Sequence, residues 1–435
     1  MRISVIGCGY LGAVHAAAMA ELGHDVVGID VDEAKIAALS AGRAPFFEPG
    51  LPEVLASGIA SERLRFTTDF AAAAGADVHF VAVGTPQVDG GDAADMRFVD
   101  AAFGSLLEHV KPGDILVGKS TVPVGTAARL AERVAEAAPG ATLAWNPEFL
   151  REGFAVKDTI SPDRLVYGVP AGDAGERAAR ILDEVYTRAI AAGTPVIVTD
   201  YATAELVKVS ANAFLATKIS FINAMAEIAE ATGADVTQLA DAIGHDVRIG
   251  RRFLNAGVGF GGGCLPKDIR AFSARAKELG RGEALAFLGE VDKINLRRRQ
   301  RVVDLVEEEA GSLTRVRVAM LGLAFKPHSD DIRDSPALDV AMRLAERGAS
   351  VVATDPQAIE SARRRATGLS FTASAEEAVE GADVVVVLTE WPEFTGLDPV
   401  GIGELVAHRR VIDGRNCLDP ARWRAAGWTY RGLGR

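Results

Sequence analysis

The two ends of this 435-residue chain carry the same succession of short apolar runs. Near the start stand RISVIGCGYLG, HDVVGID and ADVHFVAVGTP; near the end stand VRVAMLGLAFK, ASVVATDP and ADVVVVLTEWP. In each set the first run closes on glycine, the second on Asp30 or Asp355, and the third opens Ala-Asp-Val. Apolar runs of this length, alternating with helical stretches, specify parallel strands covered by helices on both faces. The expected fold is therefore α/β. It consists of two Rossmann-like domains with parallel sheets, at 1–198 and 315–435, joined by a helical dimerisation segment, 199–314, that contains a long central helix.

The N-terminal copy carries a nucleotide fingerprint. Its first strand leads into Gly7-Cys8-Gly9-Tyr10-Leu11-Gly12, a helix follows, and the next strand ends in Asp30. G-x-G-x-x-G alone is weak evidence, but strand, glycines, helix and terminal acid together specify a dinucleotide site. Gly7 is expected to make the turn, Gly9 to admit the pyrophosphate and Gly12 to let helix pack on strand. A carboxylate at Asp30 suits the adenosine ribose hydroxyls and repels a 2′-phosphate, so NAD is expected over NADP. The second copy lacks the glycine triplet and reads Gly322-Leu323-Ala324-Phe325-Lys326. It is not expected to bind NAD, although a lysine at the C-terminal end of a strand sits where such sheets bind ligands.

Composition narrows the partners. A net charge of −12 argues against nucleic acid or an anionic membrane, both of which need a basic surface. Any anionic substrate must meet a local basic pocket. Three widely spaced cysteines suit a reducing cytoplasm better than a disulfide framework. The N-terminal apolar run reads as a strand, not a signal peptide, and no stretch is apolar enough to cross a bilayer. The expected location is cytoplasmic.

Two central segments carry the chemistry. Residues 201–231 contain neither Gly nor Pro and show helical apolar spacing, with Gly233 placed to end the helix. A helix that is apolar on more than one face often packs against a second chain. Glu205, Lys208 and Asn212 share one stripe of it, although an exposed Glu–Lys pair would look the same. Farther on, GVGFGGGCLPKD puts Cys264 after three glycines and just before Pro266, which is expected to open a helix. A helix N-terminus and Lys267 both favour the thiolate, so Cys264 reads as a nucleophile; a small buried hydrophobe is the bland alternative.

In this order and at these separations, the motifs resemble the UDP-glucose/GDP-mannose dehydrogenase family from end to end. They are the glycine fingerprint, Val83-Gly84-Thr85-Pro86, Ser120-Thr121-Val122-Pro123-Val124-Gly125-Thr126, Asn146-Pro147-Glu148-Phe149-Leu150-Arg151-Glu152-Gly153, the Lys208/Asn212 helix, the cysteine loop, GLAFKPHSDDIRDSP at 322–336 and Asp413-Gly414-Arg415-Asn416. The resemblance implies an NAD-dependent four-electron oxidation of an alcohol to an acid, with no metal. A homodimer is implied as well. Cys264, Lys208, Asn212, Glu148, Thr121 and Asp268 would be catalytic, with the base role open between Glu148 and Asp268. Tyr10, Leu11, Lys35, Thr85, Thr121, Glu152, Lys267 and Arg333 would join Gly7, Gly9, Gly12 and Asp30 at NAD. Glu148, Phe149, Leu150, Arg151 and Glu152, together with Lys208 and Asn212, would hold the sugar nucleotide. So would Phe253, Leu254, Asn255, Ala256, Gly257 and Gly261, with Lys326 and Arg415 at the nucleotide end. Arg248 would reach a neighbouring subunit's site.

The Arg248-Ile249-Gly250 element points to the UDP-glucose branch, so UDP-glucose is the expected substrate. Gly263 and Leu265 depart from the serine and phenylalanine that many members have there, which leaves other sugar nucleotides, GDP-mannose or UDP-N-acetylmannosamine, as alternatives. A two-electron hydroxyacid dehydrogenase would need neither the cysteine nor the second Rossmann unit. A non-catalytic NAD-binding protein would be expected to lack one of the catalytic residues.

Overall fold

The strand reading holds in the computed structural model, which describes residues 1–435. The chain divides into two compact units, Met1–Ala211 and Asn212–Arg435. The long helix, Tyr201–Thr232, gives its residues up to Ala211 to the first unit and the remainder to the second.

The first unit is built on β1 (Arg2–Ile6), β2 (Asp25–Ile29), β3 (Leu64–Thr67), β4 (Val78–Val81), β5 (Ile115–Gly118), β6 (Thr142–Trp145), β7 (Leu165–Gly168) and β8 (Val196–Thr199), in the order β3-β2-β1-β4-β5-β6-β7-β8. Strands β1, β4 and β5 are buried almost throughout, because helices cover both faces of the sheet. The sheet is not wholly parallel, as the sequence suggested. Trp145 on β6 pairs antiparallel with Gly168 on β7, whereas β7 and β8 are parallel to each other. A parallel return needs a crossover, usually a full helix. Between β6 and β7 the chain forms only the short helix Ala155–Ile160, and Asn146 bridges the reversal by donating from Nδ2 to the Val166 carbonyl at 2.9 Å.

The second unit contains β9 (Arg317–Leu321), β10 (Ser350–Thr354), β11 (Leu369–Phe371), β12 (Val384–Val387), β13 (Arg410–Asp413) and β14 (Thr429–Gly432), in the order β11-β10-β9-β12-β13-β14 and parallel throughout. Four consecutive valines make β12, all fully buried, as a central strand covered on both faces requires. Helix Ala286–Ala310 is tied to the long helix through Arg298, 1% exposed, which pairs with Glu230 at 3.0 Å. The backbone N–H of Gly434 donates to the same carboxylate, fixing the C-terminal tail. No helix is long and apolar enough to cross a membrane.

Candidate active site

In the first unit, β1 runs into a turn that only glycine can make. Gly7 has φ +88°, and a Cβ there would lie 2.6 Å from Val83. A Cβ on Gly12 would strike the Gly7 carbonyl at 1.8 Å, whereas one on Gly9 would meet nothing within 4 Å. Gly9 thus opens the helix Tyr10–Glu21 toward a cavity of about 420 Å3, lined by Gly7, Gly9, Asp30, Lys35, Gly84 and Phe98 among others. Asp30 accepts from the Cys8 N–H at 2.7 Å and from the Lys35 ammonium at 2.8 Å. An open helix N-terminus beside a strand-end carboxylate fits a dinucleotide.

The second Rossmann copy repeats this turn and closes it. Leu323 donates its N–H to Asp355 at 2.8 Å, as Cys8 does to Asp30. Asp355 also accepts from the N–H groups of Ala324, Gln357 and Ala358 and from Trp391 Nε1, and is 2% exposed. No lone pair is left in a position to meet a ribose.

The segment after β6 is anchored from a distance. Glu48, 3% exposed, accepts from the N–H groups of Gly153 at 2.6 Å and Ala155 at 2.7 Å and from the Tyr10 hydroxyl. Burial and this carboxylate push the Tyr10 phenol well above its ordinary range. Arg151 is held by Asp158, and Phe149 lies beneath the Arg164 guanidinium at 3.8 Å. Glu148 is thereby presented to the long helix, where its Oε1 lies 3.2 Å from Lys208 Nζ, while Oε2 accepts from the Leu150 N–H at 2.6 Å. Lys208 is 5% exposed. Thr85 Oγ1 donates to the Thr121 carbonyl at 2.8 Å, joining the loops that follow β4 and β5. Glu152 lies near enough to Tyr10 to act on it electrostatically.

Glu205 differs from the surface-pair alternative. It is 2% exposed and accepts from the N–H groups of Gly125 and Ala127, both at 2.7 Å, at the start of helix Thr126–Ala137. A buried carboxylate there satisfies orphan donors and meets the positive end of the helix dipole.

In the second unit, Cys264 is the N-cap of helix Leu265–Glu278, with Pro266 in its first turn, and is exposed although residues 256–262 are buried. Asn212, four residues beyond Lys208 on the same face of the long helix, donates from Nδ2 to Asp268 at 2.7 Å. Asp268 is 3% exposed, accepts from Lys267 Nζ at 2.7 Å, and its own N–H donates to the Cys264 carbonyl at 2.9 Å. The glycines of the loop are needed for contact. Gly262 has φ +82°, and a Cβ on Gly261 would lie 2.4 Å from the Asp334 carbonyl. A Cβ on Gly263 would lie 2.3 Å from the Arg333 guanidinium, so a serine in that place would displace this arginine, which pairs with Asp331 at 2.7 Å.

Arg415 binds loops together, donating to the carbonyls of Leu388, Gly259 and Phe325, each at 2.8 Å. Lys326 lies over the Phe325 ring. Gly257 donates its N–H to Asn223, Asn255 is held by Arg251, and Leu254 and Ala256 are buried. Phe253 is exposed with φ +65°, a conformation that costs about 1–3 kcal/mol and tends to mark functional loops. Arg248 stands apart, chelating its own Asp246 in an exposed loop. Sequence reasoning missed Glu48 and Lys119, whose partners are set by tertiary contact, and Asp331, which chelates Arg333 two residues on; the local signals are that pairing and the position of Lys119 directly before the Ser120–Thr126 motif.

The chain matches three successive sequence profiles of the UDP-glucose/GDP-mannose dehydrogenase family: its NAD binding domain over residues 1–190, its central domain over 202–297 and its UDP binding domain over 319–420. It belongs to that family. The UDP-glucose 6-dehydrogenase of Rhizobium meliloti (strain 1021) is 41% identical over 438 residues, covering 100% of both chains. UDP-glucose 6-dehydrogenase TuaD of Bacillus subtilis (strain 168) is 41% identical over 439 residues, covering 100% of this chain and 93% of the relative. Among solved structures, a UDP-glucose dehydrogenase from Pyrobaculum islandicum superposes with a TM-score of 0.89 at 40% identity, over 100% of this chain and 97% of that one. As a member of the family the chain is an NAD-dependent dehydrogenase with a nucleotide-sugar substrate.

Proposed function

We propose that the chain oxidises C6 of UDP-glucose from alcohol to carboxylate, giving UDP-glucuronate. NAD, held by Gly7, Gly9, Gly12, Asp30 and Lys35, supplies the hydride acceptor for each of the two oxidations. The single observation supporting this reading is Cys264, exposed at a helix start within a buried glycine loop; Cys8 and Cys417 are instead shielded, with their thiols pushed far up by burial. The aldehyde formed first has no hydride to give until a nucleophile adds to it. The Cys264 thiolate adds to C6 and the aldehyde oxygen takes a proton; loss of the second hydride to the nicotinamide and of that oxygen's proton to solvent leaves a thioester. Water then adds, the C–S bond breaks, and the carboxylate and the thiolate are released. Lys208 and Asn212 donate to the C6 oxygen as it gains charge.

Glu148 serves as the base that takes the proton from the attacking water, with Thr121 orienting it; Asp268, occupied by Asn212 and Lys267, orients Asn212. Residues 149–152 of the first unit and, in the second, Phe253–Gly257, Gly261, Lys326 and Arg415 are each assigned to the sugar nucleotide, and Glu152, Lys267 and Arg333 to the cofactor. We place the enzyme in the cytoplasm. The test of substrate is a panel of UDP-glucose, UDP-galactose, UDP-N-acetylmannosamine and GDP-mannose followed by NADH absorbance. UDP-glucose should turn over fastest, and a preference for any other sugar nucleotide would overturn the assignment.

The cofactor carries its own prediction. NAD should exceed NADP in kcat/KM by about 100-fold, the ~3 kcal/mol that setting a 2′-phosphate against a carboxylate costs. Asp30→Asn keeps an acceptor for the Cys8 N–H and should narrow the gap; comparable kinetics with both cofactors in the unaltered protein would refute this role for Asp30.

A dimer, or an assembly of dimers, is supported by the long helix. Phe214, Phe221 and Ile228 recur every seventh residue and are 66%, 48% and 58% exposed, an apolar stripe that a second copy would bury. The exposed Arg248 loop would then complete the partner's site. Light scattering should give a dimer, and Phe214→Glu with Phe221→Glu should dissociate it. Mixed Arg248→Ala and Cys264→Ala chains should recover activity through hybrids with one intact site. A fully active monomer would rule out this arrangement.

A further inference from the structure

Behind Glu148 lies a charge that the chemistry above does not use. Lys119, at the end of β5, is buried, and its ammonium donates to Asn146 Oδ1 at 2.9 Å and lies 3.4 Å from the Tyr186 hydroxyl. Tyr186 also donates to Asn146 Oδ1, at 2.7 Å. The aromatic faces of Phe80 and Tyr186 stand 5.6 and 5.9 Å from the nitrogen. Burial lowers the ammonium from 10.5 to about 8, and Glu148 is the carboxylate whose attraction works against that fall.

No other charged group than Glu148 offsets the burial of this ammonium. His15, from the helix after β1, is fully buried and held neutral, its pKa driven well down by burial and by Lys119 itself. Tyr186 is kept protonated by burial. A small cavity of about 40 Å3 is lined by Lys119, His15, Asn146, Glu148 and Tyr186, and also by Asp158, Asp163 and Arg164. Of these last, Asp158 is engaged by Arg151, and Arg164 stacks on Phe149. The cavity is large enough for a water or two.

A buried ammonium with a depressed pKa weakens the fold. Between about pH 8 and 10.5 the unfolded chain binds more protons than the folded one, so stability rises with pH across that window, and the penalty is fully present below it. A methionine of similar length would remove the penalty. What the charge can do is act on the turn it holds, because Asn146 leads through Pro147 directly into Glu148.

We propose that Lys119 is a positioning residue for Glu148: clamped to Asn146 beneath the site, its ammonium fixes the turn that carries Glu148 and so aims that carboxylate for its work as base. This rests on the assignment of Glu148 as the base. The test is Lys119→Met in the full-length enzyme, assayed for kcat, KM and melting temperature. At pH 7 kcat should fall tenfold or more, with KM for the sugar nucleotide within about twofold and the melting temperature unchanged or higher. Placed in a Glu148→Gln background, Lys119→Met should add no further loss, since it acts through a group already removed.

A lower melting temperature with kcat unchanged would reduce Lys119 to a structural role, and additive losses in the double variant would equally overturn the proposal. If Lys119→Met does not fold, Lys119→Gln, which keeps a donor for Asn146 and removes the charge, carries the same test. Normal turnover by Glu148→Gln alone would instead overturn the assignment of the base, whatever Lys119→Met does.

Discussion

Replacing Cys264 with alanine should stop formation of UDP-glucuronate, lowering steady-state turnover by three orders of magnitude or more, a barrier increase of at least ~4 kcal/mol. The intact enzyme should yield two NADH for each UDP-glucose and release no aldehyde, because the proposed thiohemiacetal keeps C6 bonded to sulfur between the oxidations. Cys264→Ala keeps the donors for the C6 oxygen and should still reduce added UDP-6-aldehydoglucose with NADH, a step that needs only hydride geometry. Cys264→Ser should fare little better than alanine, since an oxygen ester leaves less readily than a thioester, and an acyl-enzyme visible by mass spectrometry is the expected trace. Cys8→Ser and Cys417→Ser should leave the stoichiometry intact. Two NADH per sugar at a near-normal rate from Cys264→Ala would make the aldehyde hydrate the second hydride donor and end the covalent mechanism.

Glu148→Gln should separate oxidation from hydrolysis. The variant is expected to release a burst of two NADH per site and then stall with C6 held as a thioester, its steady-state rate lower by about 10²–10⁴, the usual worth of a positioned general base. The amide can still accept from the Leu150 N–H but cannot take a proton from water, and it leaves Lys208 without the carboxylate 3.2 Å away. Asp268→Asn should behave differently. Its oxygens orient Asn212 and Lys267, so its loss should slow the first hydride step as well and give no burst. Stopped-flow absorbance distinguishes the two patterns, and a burst from Asp268→Asn with none from Glu148→Gln would exchange their roles.

Much of this is legible in the sequence where the chemistry is local. The glycine fingerprint and Asp30 were readable because a tight turn and a strand-end acid are separated by one helix. The long helix was readable from periodicity, with its end expected at 231 and found at Thr232. Pro266 marked the helix start that places Cys264. Illegible was whatever depends on partners far along the chain. Glu205 shares a helical stripe with Lys208, yet its carboxylate meets amides nearly 80 residues away, a match that no spacing rule contains. Glu48 looks like a loop acid but anchors the segment behind Glu148 across a separation of 105 residues. The reversal at β7 is not legible because its pattern, a short buried run, is the same for either strand direction.

The two Rossmann copies use their aspartates in opposite senses. Asp30 faces an open turn, while Asp355 is turned inward on its own backbone and on Trp391. Such a closure is hard to reverse by drift. A glycine substituted for Ala324 would restore part of the fingerprint, but Asp355 would remain bound by Trp391 and by the amides on either side. Reopening the pocket would take several coordinated changes, each destabilising on its own. The duplicated scaffold is therefore insulated against reverting to a second cofactor site, and NAD is denied a place from which it could compete with the sugar nucleotide for the same half of the enzyme.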